Sequence, residues 1–167
     1  TVIIEEAPEA AKEAVTIDSD ALGLVGMIAK YIDDTAIYPM PELALAAALT
    51  LAGFIMGRKA KSEIGIHPNL YCLGVAASGS GKDHARKCVR KILMECGLDN
   101  HEIGVPKSGA AIVTNLYHNG GKGIMLIDEF GRFLEAISSP KSSSHEKEIT
   151  TSMMEIYTST DSYYSGA

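Results

Sequence analysis

The sequence predicts a three-layer α/β domain: a parallel sheet flanked by helices and preceded by a small helical segment. Three observations carry that expectation. The run LYCLGVAA, residues 70–77, has the length and β-branched or aromatic content of a buried parallel strand, ends at SGSGK and leads into KDHARKCVRKILMECG. The run IMLI, residues 124–127, ends at Asp128 and Glu129 and is again followed by helix-forming residues. The element order, two helices and then three strand–helix units, is the alternation that builds such a sheet. With 167 residues and 46% hydrophobic content the chain suits one packed domain.

Residues 1–17 read as an acidic linker. The first twenty residues hold six acids and one lysine, so the net charge of −6 belongs mostly to this leader. From a cap at Asp18 or Ser19, the positions Leu22, Val25, Ile28, Ala29 and Ile32 recur at helical spacing and stop near TAIYPMP. A second helix starts at Pro41 and Glu42 and runs to Gly57; being apolar on nearly all sides, it is expected to be enclosed. Its run from Leu43 to Gly57 is 15 residues, short of the roughly 20 that cross a bilayer, so a core helix and no membrane are expected. Residues 18–60 thus form an N-terminal helical segment packing on a core at 61–167.

In the helix that follows SGSGK, Ala85, Cys88, Val89, Ile92 and Cys96 share one face, and Gly97 stops it. The opposite face carries Arg86, Lys87, Arg90 and Lys91, the usual pattern of a solvated surface, with nucleic-acid or subunit contact as the sharper alternative. HEIGVP around Ile103 reads as a short strand, and Ser108 caps a helix from Gly109 to about His118. After a polar loop at residues 138–145, a last helix runs through Ile149, Met153 and Ile156. Cys72, Cys88 and Cys96 form no CxxC pair, so neither a zinc site nor a disulfide framework is suggested, and they suit the core of a cytoplasmic protein. The opening TVIIEEAPEAAKEAV, without an initiating methionine or signal-peptide layout, reads as part of a longer protein.

The chemistry gathers at two places. SGSGK follows the phosphate-binding pattern G-x-x-x-x-G-K-[ST], with Ala76 for the first glycine and Asp83 for the final hydroxyl. A loop of small residues ahead of a helix presents consecutive backbone N–H groups to phosphate oxygens, and the helix terminus adds partial positive charge. Ala77, Ser78, Gly79, Ser80 and Gly81 would form that cradle and Lys82 would reach the β- and γ-phosphates. His84 would touch the α-phosphate or base, or simply face solvent. Asp83 can replace the hydroxyl as a magnesium ligand, because Mg²⁺ takes carboxylate oxygens readily. Asp128 and Glu129, taken alone, are a pair of acids capping the next helix; taken with the loop 46 residues upstream of Asp128, they read as a metal-linked acid and a general base for water. DEFG is not a kinase element, since no HRD-type loop accompanies it.

PNLYCLGVAASGSGKDHARK, LIDEFGRFLEAI, the serine-rich loop and a helix ending in Tyr157 together resemble a family of phage- and prophage-encoded P-loop ATPases described as replicative helicases or primase-helicases. The resemblance covers about residue 41 to the C-terminus. It implies a P-loop NTPase core of the ASCE type, RecA-like or AAA+-like, with the sheet incomplete at the C-terminus. It further implies ATP and Mg²⁺ as cofactors, Lys82 and Glu129 as catalytic residues, Asp83 and Asp128 as metal ligands, single-stranded DNA as partner, and a homo-oligomer, possibly a hexameric ring. A nucleotide-switched adaptor or helicase loader with little hydrolysis is the alternative. Arg132, the one arginine after the acidic pair, reads as a salt-bridged surface residue rather than an arginine finger.

Overall fold

The computed structural model describes residues 22–140 and 142–158. The acidic linker and the Asp18/Ser19 cap lie outside them. Among the described residues six α-helices dominate: α1 (Gly23–Asp34), α2 (Pro41–Met56), α3 (Asp83–Glu95), α4 (Gly109–His118), α5 (Phe130–Ser138) and α6 (Ser144–Thr158). Two strands of two residues each, β1 (Glu102–Ile103) and β2 (Ile124–Met125), pair in parallel, Glu102 beside Ile124 and Ile103 beside Met125.

The expected three-layer α/β core of the P-loop NTPase type is therefore overturned; the described chain is mostly helical, and its sheet has two short strands. The physical reason is that a strand is a property of a pair, whereas a helix satisfies its own backbone. Residues 70–75 have strand composition, yet no described segment forms a ladder with them. Leu73 and Val75 are 63% and 82% exposed, which corrects the reading of a buried strand. The segment is tied at its start instead: Asn69 Nδ2 donates to the Tyr157 carbonyl and Tyr71 Oη to the Met153 carbonyl, each at 2.8 Å, both on α6. The Tyr71 and Tyr157 rings also meet, centroids 5.2 Å apart, and burial holds the Tyr71 phenol above its ordinary pKa, with Tyr157 adding to the shift.

The helices form where the pattern places them. In α3, Ala85, Cys88 and Val89 are buried, Gly97 ends the segment at φ +65°, and Leu93, not on the expected stripe, is fully buried while Cys96 is exposed. Cys72 is exposed as well, so of the three cysteines only Cys88 belongs to the core. Ser108 caps α4 through its Oγ, which accepts the Ala111 N–H at 3.2 Å. Ser143 and Glu146 open α6 as a reciprocal capping box: the Ser143 N–H donates to Glu146 Oε2 at 2.8 Å, and the Glu146 N–H donates to Ser143 Oγ at 3.3 Å.

Helix α2 is not enclosed. Ala44 and Leu51 are buried in a core shared with Ile32 of α1, Val89 and Leu93 of α3 and Ile124 of β2, but Leu49, Ile55 and Met56 are exposed. Helices α1 and α3 and the segment at residues 68–74 cover part of this largely apolar rod. Its helical span Pro41–Lys59, 19 residues, is long and apolar enough by composition to cross a membrane. A second core joins Ile112 of α4, Ile137 of α5 and Ile149 of α6. Gly109 lets α4 and α6 touch there: a Cβ would strike the Ser152 hydroxyl and lie 2.9 Å from the Glu148 carbonyl.

Candidate functional site

The loop at residues 77–82 joins an exposed segment to a helix that buries one face, and its shape follows from its glycines. Gly79 and Gly81 adopt φ +74° and +86°, values an L-residue with a side chain rarely takes. Ala77, Ser78 and Gly79 are exposed, and the Ser80 N–H donates to the Ala77 carbonyl at 3.3 Å, tightening the turn. Lys82 caps α3, and its ammonium curls back to the Ala76 carbonyl at 3.3 Å, so the cation lies over the loop that precedes it. Asp83 opens the 13-residue helix, where its charge opposes the positive end of the dipole favourably. Alternating backbone of this kind at a helix start makes an anion-binding concavity.

The acidic pair lies across from it. Arg86, one turn into α3, donates to Asp128 Oδ2 at 2.7 Å and so couples the loop's own helix to the acids. The other Asp128 oxygen accepts the Glu129 N–H at 2.9 Å. Glu129 is the sole non-glycine residue among those described with positive φ, +48°, and its carboxylate pairs with Arg132 at 2.9 Å. Non-glycine residues in the left-handed region cost about 1–2 kcal/mol, and such strain persists where surrounding structure over-determines it. Below the acids an open groove of about 520 Å³ is floored by Phe133, Ile137 and Ile149 and rimmed by Lys107 and Arg132.

His84 is turned inward. Its Nε2 lies 2.9 Å from Thr35 Oγ1 and 3.2 Å from Cys88 Sγ. Of the basic face of α3, two members are not merely solvated: Arg86 holds Asp128, and Arg90 Nε donates to both Glu102 oxygens at 3.0 and 2.9 Å. Those bonds hold the Arg90 guanidinium above its ordinary pKa. Sequence reasoning missed Arg86 as a site residue; the signal was its position one helical turn after Lys82, on the side from which the acid-bearing segment arrives. Arg132 pairs as expected, His145 stands 3.8 Å from Glu148, and the His118 ring packs edge-on against Tyr117.

Whether these residues suit Mg²⁺ follows from their donors. Among the described residues no group of three His, Cys, Asp or Glu side chains converges on a metal position. Mg²⁺ is commonly held by one or two carboxylates plus phosphate oxygens, so Asp83 and Asp128 have the donor chemistry of a partial set, with both Asp128 oxygens at present engaged by Arg86 and the Glu129 N–H. No family model matches the chain, and neither the curated proteins nor the solved structures contain a significant match.

Proposed function

We propose that the chain binds a nucleoside triphosphate, ATP as the leading candidate, at the loop of residues 77–82 and hydrolyses it with Glu129, as the motor part of a phage-type DNA replication helicase or primase-helicase. The observation that supports this most is the junction itself: two positive-φ glycines run into a long helix capped by Lys82 and opened by Asp83, and Arg86 on that helix grips Asp128. Backbone N–H groups and Lys82 bind the phosphates. Asp83 and Asp128 would hold the accompanying Mg²⁺, whose chemistry is to neutralise developing phosphate charge. Glu129, next in sequence to Asp128, orients and deprotonates the attacking water.

One observation favours the second reading, an adaptor that binds nucleotide and turns over slowly: both acids are engaged by guanidinium groups, Asp128 by Arg86 and Glu129 by Arg132. ATP turnover with and without single-stranded DNA separates the two. A motor gives DNA-stimulated hydrolysis that Glu129→Gln removes while ATP binding is retained. Binding with negligible turnover, unchanged by DNA, selects the adaptor, and turnover by Glu129→Gln at the wild-type rate removes the role given to that residue.

A further inference from the structure

We infer that Tyr38, on the link between α1 and α2, forms the wall against which the nucleobase of the bound nucleotide packs; the inference rests on the nucleotide reading above. Tyr38 stands against the last glycine of the phosphate loop: a Cβ built on Gly81 would lie 3.4 Å from Tyr38 Cβ and 3.5 Å from ring carbon Cδ2. No other described aromatic side chain is recorded in contact with a glycine of this loop.

Tyr38 is nonetheless open to water, at 63% exposure. The link thereby offers a base an exposed aromatic ring to stack on. It is also held in place beforehand. Pro39 and Pro41 fix their own φ and restrict the residues before them. The Ala36 N–H donates to the Asp33 carbonyl at 3.1 Å, and Thr35 is joined to His84 of α3 at 2.9 Å. Rigid placement of an aromatic surface lowers the ordering cost of binding.

The space behind the link decides on which side the base lies. Between Asp33, Tyr38 and the start of α3 there is a cavity of only about 10 Å³, the size of one water molecule. A nucleobase cannot enter it, so it lies on the solvent side, over Tyr38, with its phosphates on residues 77–82. Recognition of this kind is by stacking and apolar contact, which every base offers and purines, with the larger ring face, offer most.

Binding of ATP and of inorganic tripolyphosphate, measured by calorimetry on the wild-type chain, Tyr38→Ala and Tyr38→Phe, tests the inference. Tyr38→Ala weakens ATP roughly tenfold and leaves tripolyphosphate unchanged, while Tyr38→Phe binds both as wild type does. Equal weakening of the two ligands by Tyr38→Ala, or none for either, overturns the base wall while the phosphate loop stands. A wild-type chain that binds neither ligand overturns the nucleotide reading and the wall with it.

Discussion

Two junctions in this chain were expected to be alike, each a strand that turns into a helix, and they differ in what holds them. At the first, residues 70–75 have no ladder among the described residues, yet the turn is made by glycines and α3 is anchored in the core by Ala85, Cys88, Val89 and Leu93. At the second, Ile124 and Met125 do pair with β1, but the turn puts Glu129 in the left-handed region and α5 buries a single residue, Ile137. The glycine loop is thus fixed from its helix side, and the acidic pair from its strand side. Arg86 is what spans the two.

The largest effect that sharpens this contrast is in the helices. Leu93→Ala empties a fully buried position in α3 and is expected to cost about 2–5 kcal/mol in denaturant unfolding. Leu134→Ala on α5, where the side chain is 48% exposed, is expected to cost no more than about 0.5 kcal/mol. Equal losses would mean that α5 is anchored as firmly as α3.

Next come the turns, with opposite signs. Gly81→Ala forces a Cβ onto φ +86°, for a loss of about 1–2 kcal/mol. Glu129→Asn places a residue tolerant of the left-handed region at φ +48° and is expected to leave the melting temperature unchanged or to raise it by a few degrees. The exposed Glu129–Arg132 pair, at 60% and 82% exposure, offsets little of that. A drop on Glu129→Asn as large as that on Gly81→Ala would show that the glutamate is not strained.

Why the turns and helices were legible and the sheet was not follows from the same contrast. A cap such as Ser108, a stop such as Gly97 and the stripe of Ala85, Cys88 and Val89 act within a few residues, so the sequence displays them directly. Whether LYCLGVAA becomes a strand depends on a partner elsewhere in the chain, and composition carries no record of it. The same limit applies to the site. Lys82, Gly79, Gly81, Asp128 and Glu129 stand out as motif residues, but Arg86 is visible only once α3 and the acid-bearing segment are side by side.

Smaller effects test the bridge and the last helix. Arg86→Ala frees Asp128, whose side chain is 52% exposed, so the stability loss stays below about 1 kcal/mol and shrinks with added salt. A loss of several kcal/mol would make the bridge a buried structural pair. For Glu146, hydrogen bonds from Ser143 lower the folded pKa below the ordinary glutamate value. A depressed carboxylate pKa means the capping bonds are in full force above the unfolded value and are lost as pH falls through the folded one. Amide exchange at the start of α6 should therefore speed up, relative to intrinsic exchange, on acidification below the glutamate range, and Glu146→Gln should flatten that dependence.

The central claim is that the loop ahead of α3 binds a nucleotide's phosphates without a sheet behind it. Calorimetric titration of ATP with Mg²⁺ into the wild-type chain and into Lys82→Ala tests it most directly. Saturable binding by the wild type, weakened at least about tenfold in Lys82→Ala, is the predicted result, since a charge-assisted contact to phosphate is lost. Indistinguishable titrations of the two proteins would contradict it.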